Sequence, residues 1–197
     1  VASAYTLAAL LYQSGDYSES HSLFLSVAEF GEPQAQFHVA TNFMTGTGTD
    51  KNESLAEKWM LTAASAGVKE AFIYAYAFLA KTNQAKARQY LEMAMANDEA
   101  GAYYADYLDN LQGFTGPKNT SRAIESLQKA AFLGTQEAIR SLATRYQNGD
   151  GVPKSNTKAL FWLWKLDPDK YPMKDWEISA VEGQIAAIAK LDDFEPS

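Results

Sequence analysis

The feature that most restricts this chain is that it repeats itself. One column of small residues runs Ser20, Ala56, Ala87, Ala123 and Ala159, at intervals of 36, 31, 36 and 36 residues. A second runs Ala4, Ala35, Ala71, Ala102 and Ala138, at intervals of 31, 36, 31 and 36. Eight residues beyond the second column stand Tyr12, Phe43, Leu79 and Tyr146, with Asn110 the exception. Beyond the first column come Val27-Ala28, Ala63-Ala64, Ala94-Met95 and Ala130-Ala131, and Gly31, Gly67 and Gly134 follow in three units. A unit of this length cannot bury its apolar face alone, so copies at a fixed period stack and share one continuous core.

Each unit reads as two helices. From Ala35 to Met44 the apolar residues Phe37, Val39, Ala40 and Phe43 recur near helical spacing; from Leu55 the set is Ala56, Trp59, Met60, Ala63 and Ala64. Composition agrees: 32 alanines stand against six valines and six isoleucines, which favours packed helices over sheets. Alanine at a crossing lets two helix axes approach to about 8 Å. Glycine after the second helix suits a left-handed C-cap, and Asn52, Asn119 and Asn156 sit where a short polar side chain can cap the second helices. The 31-residue intervals arise because the loop inside units one and three is five residues shorter. After Pro172 the period is lost. Asp175 can cap a helix from Trp176 to Lys190 with Ile178, Val181, Ile185 and Ile188 on one stripe. The expected layout is therefore a repeat domain over 1–172, a capping helix over 173–191 and an acidic tail over 192–197.

Several classes of function are disfavoured at once. A net charge of −7 does not suit a nucleic-acid partner, whose phosphates need clustered Lys and Arg. No run of 18 apolar residues exists to span a bilayer. The absence of cysteine removes disulfides, thiol catalysis and cysteine zinc sites without fixing the compartment. Val1-Ala2-Ser3-Ala4 resembles the small-residue end of a secretory signal and equally reads as the start of the first helix. The bacterial periplasm is the compartment expected, with the cytoplasm as the alternative. Two Asn-x-Ser/Thr triplets, at Asn52 and Asn119, are at the level of chance and imply no glycosylation.

The stretch Tyr146-Gln-Asn-Gly149-Asp-Gly151-Val152-Pro153, followed by Ala159-Leu-Phe-Trp162, closely resembles the Sel-1-like repeat, a relative of the tetratricopeptide repeat. Ala35 through Gly67 matches over its whole length, with Thr49 where Val is usual and Ala40 where Gly is. The resemblance covers residues 4 to 166 in five units. Units one and three lack the glycine loop. Unit four has Gly113-Phe-Thr-Gly116, one residue out of register, and Asp106 where an apolar residue is expected. Unit five stops at Asp167-Pro168-Asp169. The resemblance implies an all-α, right-handed α-solenoid of about five stacked hairpins, closed by the C-terminal capping helix.

Chemistry-bearing candidates each have a structural explanation. Ser65 in Ala63-Ala64-Ser65-Ala66-Gly67 lies at a helix end, not on the strand-to-helix turn of a nucleophile elbow. His21 and His38 have neither a second His nor a carboxylate cluster beside them in sequence, so no metal site is expected. Gly46-Thr-Gly48 lacks the Gly-Lys-Ser/Thr of a phosphate loop and recurs at Gly149. Trp59 and Trp162 share one repeat column and read as packing residues; Trp164 and Trp176 form no cofactor box with them. No catalytic residue, cofactor or metal is expected.

What remains is surface. By analogy with tetratricopeptide arrays, the first helices line a concave face. Its outward positions are Thr6, Leu10, Gln13; Phe37, Thr41, Met44; Ile73, Ala77, Ala80; Tyr104, Leu108, Leu111; Arg140, Thr144 and Gln147. Phe37, Ile73, Tyr104 and Leu108 are more apolar than a solvated face requires, and an apolar patch with a polar rim marks a partner site. The partner-binding set expected is Phe37, Thr41, Met44, Ile73, Tyr104, Leu108, Arg140, Thr144 and Gln147. The function expected is a non-enzymatic protein–protein interaction module, an adaptor or scaffold; the resemblance implies roles in assembly, signalling and quality control. The alternative is a bacterial immunity protein that neutralises a secreted antibacterial toxin such as a type VI secretion phospholipase effector. An acidic surface would speed its association with a basic toxin. A hydrolase like some cysteine-rich relatives is disfavoured by the missing cysteines.

Overall fold

The computed structural model describes residues 2–166. Among them are ten α-helices, one 3-10 turn and no strand. The chain divides into two compact units, Val1–Asn97 and Asp98–Ser197. The first holds α1 (Ala2–Ser14), α2 (Tyr17–Glu29), α3 (Pro33–Thr45), α4 (Glu53–Ser65), the 3-10 turn Lys69–Ala71, α5 (Phe72–Leu79) and α6 (Gln84–Met95). The second holds α7 (Ala100–Gln112), α8 (Thr120–Phe132), α9 (Gln136–Asn148) and α10 (Asn156–Trp164). Successive helices pair as hairpins, and α2 packs on α3, α4 on α5 and α8 on α9. The architecture is an α-solenoid of helical hairpins. The capping helix expected over 173–191 and the tail over 192–197 lie outside the described residues.

The repeat columns are the core. Ser20, Ala56, Ala87, Ala123 and Ala159 are all fully buried, as are Ala35, Ala71, Ala102 and Ala138. Ala4, on the first helix, is half-buried. Around these crossings Phe24, Val39 and Met60 fill the first unit, and Leu127, Ile139 and Leu142 the second. Each such side chain contributes on the order of 1.5–3 kcal/mol by leaving water. Trp162 is buried and Trp59 packs against the first unit's core, as their shared column requires. Tyr12 departs from its column and is 42% exposed, whereas Phe43, Leu79 and Tyr146 are buried.

The expected caps are present with one correction. Asn52 and Asn119 accept from the amides of Leu55 and Arg122, each at 3.0 Å. Asn156, expected as the third cap, is instead the first residue of α10, and Ser155 accepts from the Lys158 amide at 3.3 Å. The cap stands four residues before the alanine column, which selects Ser155 and also Asn83, whose side chain accepts from Lys86 N at 3.1 Å. Gly31, Gly67 and Gly134 have φ of +88°, +88° and +92°, the left-handed region that glycine enters without a Cβ clash.

Candidate functional site

The expected partner residues divide between the two units. In the first, Phe37 and Thr41 on α3 and Ile73 on α5 are half-buried, while Met44 is 37% exposed. Thr41 Oγ1 donates to His38 O at 2.8 Å, so its own helix satisfies the hydroxyl. On α1, Thr6, Leu10 and Gln13 are exposed; on α5, Ala77 is exposed and Ala80 half-buried. In the second unit Tyr104, Leu108 and Leu111 are half-buried and packed on the core, with the Tyr104 and Tyr107 rings 5.6 Å apart. Arg140, Thr144 and Gln147 on α9 are exposed, and Thr144 Oγ1 donates to Arg140 O. Tyr104 is thus not wholly outward. It has one side on the core and one in solvent.

Three further rings complete the surface in the first unit. Tyr5 on α1 shares a 3.1 Å hydrogen bond with His38 Nε2 on α3. His38 stacks on the buried Phe24 at 4.5 Å and meets Phe37 at 6.1 Å; Phe37 meets Tyr74 on α5 at 6.2 Å. Tyr5, His38, Phe37 and Tyr74 therefore form a row across three consecutive first helices. Burial, then the charges of Glu32 and Glu70, push the Tyr5 phenol's pKa up. Burial pushes the His38 imidazole's pKa down. Only Phe37 among these is legible in the sequence: the outward stripe lies two, six and nine residues past the alanine column, and His38 and Tyr74 stand three past it.

The polar groups inside the hairpins are committed to structure. Ser65 Oγ donates to Leu61 O at 2.7 Å and lies 3.1 Å from Tyr90 Oη. His21 is buried against Phe43, with Asn42 Nδ2 3.2 Å from its Nδ1. Asp106 is fully buried, and its carboxylate accepts from Ser126 Oγ and from Arg122 Nε. Asp109 holds the loop after α7 by accepting from Thr115 N at 3.0 Å and Oγ1 at 2.7 Å. A shallow groove along α2, lined by Ser18, Glu19, Ser22, Leu23 and Ser26, has the Ser22 and Ser26 hydroxyls bonded to α2's own carbonyls. Among the described residues no three His, Asp or Glu side chains converge as metal ligands. No described helix is long and apolar enough to cross a membrane.

The Sel1 repeat family matches this sequence four times, at residues 33–68, 71–98, 102–134 and 136–163. The α1–α2 hairpin falls outside those matches. No curated protein matches the sequence. Among solved structures, a Sel1 repeat protein from Oxalobacter formigenes is similar at 24% identity and a TM-score of 0.72, over 83% of this chain and 71% of that one. The protective antigen c5321 of uropathogenic Escherichia coli, which displays an SLR fold, is similar at 20% identity and a TM-score of 0.68; 90% of this chain aligns with 44% of it. The immunity protein Pa5087 from Pseudomonas aeruginosa is similar at 14% identity and a TM-score of 0.54, over 97% of this chain and 88% of that one. With the matched repeats spanning well over half of the sequence and the helical hairpins in register with them, the chain belongs to the Sel1 repeat family.

Proposed function

We propose that this protein is a non-enzymatic interaction module that holds a protein partner on the faces of its first helices. The observation that carries the reading is the chemistry of those faces. Phe37 and Ile73 in the first unit, and Tyr104 and Leu108 in the second, keep part of their apolar surface in water. Polar Thr144, Gln147 and Arg140 are exposed on the same stripe of α9. In each unit the half-buried aromatic and aliphatic side chains are anchors that a partner can dehydrate, and exposed polar side chains on the first helices can serve as a rim. Sel1 repeat proteins are generally protein-interaction modules, which supports this reading.

A second reading, an immunity protein that blocks a secreted toxin, draws on two observations. The charge of −7 suits a basic toxin surface. The fold is also similar to that of the Pseudomonas aeruginosa immunity protein. Protection of cells expressing a candidate toxin separates this reading from an adaptor role.

The test is a titration of a partner captured from native extract against folded variants. Tyr104→Ala should weaken binding by about 2 kcal/mol or more if the ring is an anchor. Because Tyr104 also packs on the core, its helicity and melting midpoint are measured alongside. Arg140→Glu should act on association rate and salt dependence. Full affinity in both variants places the site elsewhere.

A further inference from the structure

We propose that Tyr5, His38, Phe37 and Tyr74, edged by Glu32 and Glu70, form a lane for a cationic, arginine- or lysine-bearing segment of a partner protein. The proposal rests on the first-helix faces being the partner surface, and it names the chemistry that surface takes in the first unit.

The charge pattern is the first support. Residues 1–50 contain no Lys or Arg at all, against Asp16, Glu19, Glu29, Glu32 and Asp50. Across α1 to α3 and their connections, therefore, every charged side chain is an acid: Glu19 and Glu29 on α2, with Asp16 and Glu32 at the helix starts. Glu32 caps α3, the helix of Phe37 and His38, and Glu70 lies in the 3-10 turn before α5, four residues ahead of Tyr74; after burial, their charges are the next causes that raise the pKa of the Tyr5 phenol. Neither carboxylate forms an ion pair among the described residues. Glu70 is exposed, and Glu32 is half-buried, with Oε1 accepting from the Gln34 amide at 3.4 Å and the other oxygen left for a guest.

The rings supply the second support. A cation is attracted to the face of an aromatic ring by the ring's quadrupole. Elsewhere this chain provides that cation itself: Lys86 lies over Tyr90 at 5.8 Å, Lys129 over Tyr103 at 5.7 Å, Arg145 over Tyr107 at 5.4 Å and Lys158 over Tyr146 at 5.6 Å. No described Lys or Arg occupies the same place over Tyr5, Phe37 or Tyr74. His38 adds no opposing charge at neutral pH, since burial favours its uncharged imidazole. Lys69, beside Glu70 in the 3-10 turn, is exposed and lies over none of these rings, so their faces are left without a cation. A planar guanidinium fits best, because it can lie on a ring and bond a carboxylate together.

The experiment is calorimetric titration of the full chain with a capped hexa-arginine peptide and with a hexa-citrulline peptide, its neutral counterpart. The arginine peptide should bind and the citrulline peptide should not. Tyr74→Leu keeps an apolar side chain but removes the ring, and should weaken binding about two- to fivefold. Glu32→Gln with Glu70→Gln should weaken it further and flatten its salt dependence. Glu53→Gln with Glu57→Gln removes the same charge from α4 and should leave affinity unchanged. Equal losses in the two glutamate pairs would reduce the attraction to net charge and overturn the lane. Citrulline binding as tight as arginine would overturn it too, leaving an apolar groove. If hexa-arginine fails while Tyr104→Ala still weakens the captured partner, the lane falls and the interaction surface stands.

Discussion

Asp98 is the one described residue other than glycine with a positive φ, at +54°. It stands four residues past Ala94, as Gly31, Gly67 and Gly134 stand past Val27, Ala63 and Ala130. Unit three thus makes the same left-handed turn with an aspartate, a residue that tolerates this region better than most. Its 3.4 Å ion pair with Lys129 joins two exposed side chains and contributes little. Asp98→Gly should therefore raise stability by about 0.5–1 kcal/mol, read as a higher denaturation midpoint; a lower one would mean that the aspartate stabilises this turn. The repeat columns made the three glycines legible, but a backbone angle carried by aspartate has no sequence mark. Asp106 was illegible for a different reason. It occupies a column otherwise filled by Ala8, Val39, Ala75 and Leu142, and its partner Ser126 occupies that of Trp59, Tyr90 and Trp162. Two departures that look like defects singly are one hydrogen-bonded pair across α7 and α8. Asp106→Ala should cost about 1–3 kcal/mol by unpairing buried groups. Adding Ser126→Ala to it should cost less than Ser126→Ala alone, by at least about 0.5 kcal/mol in a double-mutant cycle; strict additivity would deny the pairing.

The helical hairpin was almost wholly readable, because alanine crossings and terminal glycines are imposed by backbone geometry. The loop inside it was readable only in part. In the three long-loop units one bond closes the loop: Asn52 N to Phe43 O, Asn119 N to Asn110 O and Ser155 N to Tyr146 O, at 3.0, 2.9 and 2.8 Å. The first loop glycine keeps its place in all three, with φ of +78° at Gly46, +74° at Gly113 and +84° at Gly149. The second does not, and in unit four the Asp109–Thr115 bonds hold the loop instead. Gly48 has a role no repeat pattern discloses. A Cβ there would collide with the Tyr17 carbonyl, so the loop of the second hairpin lies directly on the start of α2. Gly15, with φ +91°, has nothing within 4 Å of such a Cβ. Gly48→Ala should then cost about 2–4 kcal/mol, combining a left-handed penalty with overpacking, whereas Gly15→Ala should cost only about 1–2 kcal/mol. Equal losses by chemical denaturation would mean that the contact yields without strain.

Across the whole molecule the repeat period gave the number and order of hairpins, since periodic burial is written directly into residue type. The aromatic row was harder to see, because His38 and Tyr74 become neighbours of Phe37 only through side-chain direction on packed helices. Titration is similarly uneven. The chain's two histidines, His21 and His38, both lie in the first unit, and burial lowers the pKa of each. His21 Nδ1 faces the Asn42 amide nitrogen, a group that only donates, so the neutral imidazole accepts there and a proton on Nδ1 would set donor against donor. The unfolded chain takes up these protons near pH 6.5, whereas the folded unit takes them up only at lower pH. Between those values the unfolded state binds more protons, so stability rises with pH; it is fully present above the unfolded pKa and is lost as pH falls towards the folded one. Acidification from pH 7.5 to 5.5 should thus lower the opening free energies of amides in α1 to α4, measured by hydrogen exchange corrected for intrinsic rates. Substituting both histidines, His21→Asn and His38→Gln, should flatten that dependence whatever it does to stability at neutral pH. A pH profile unchanged by the double substitution would assign the acid sensitivity to carboxylates instead.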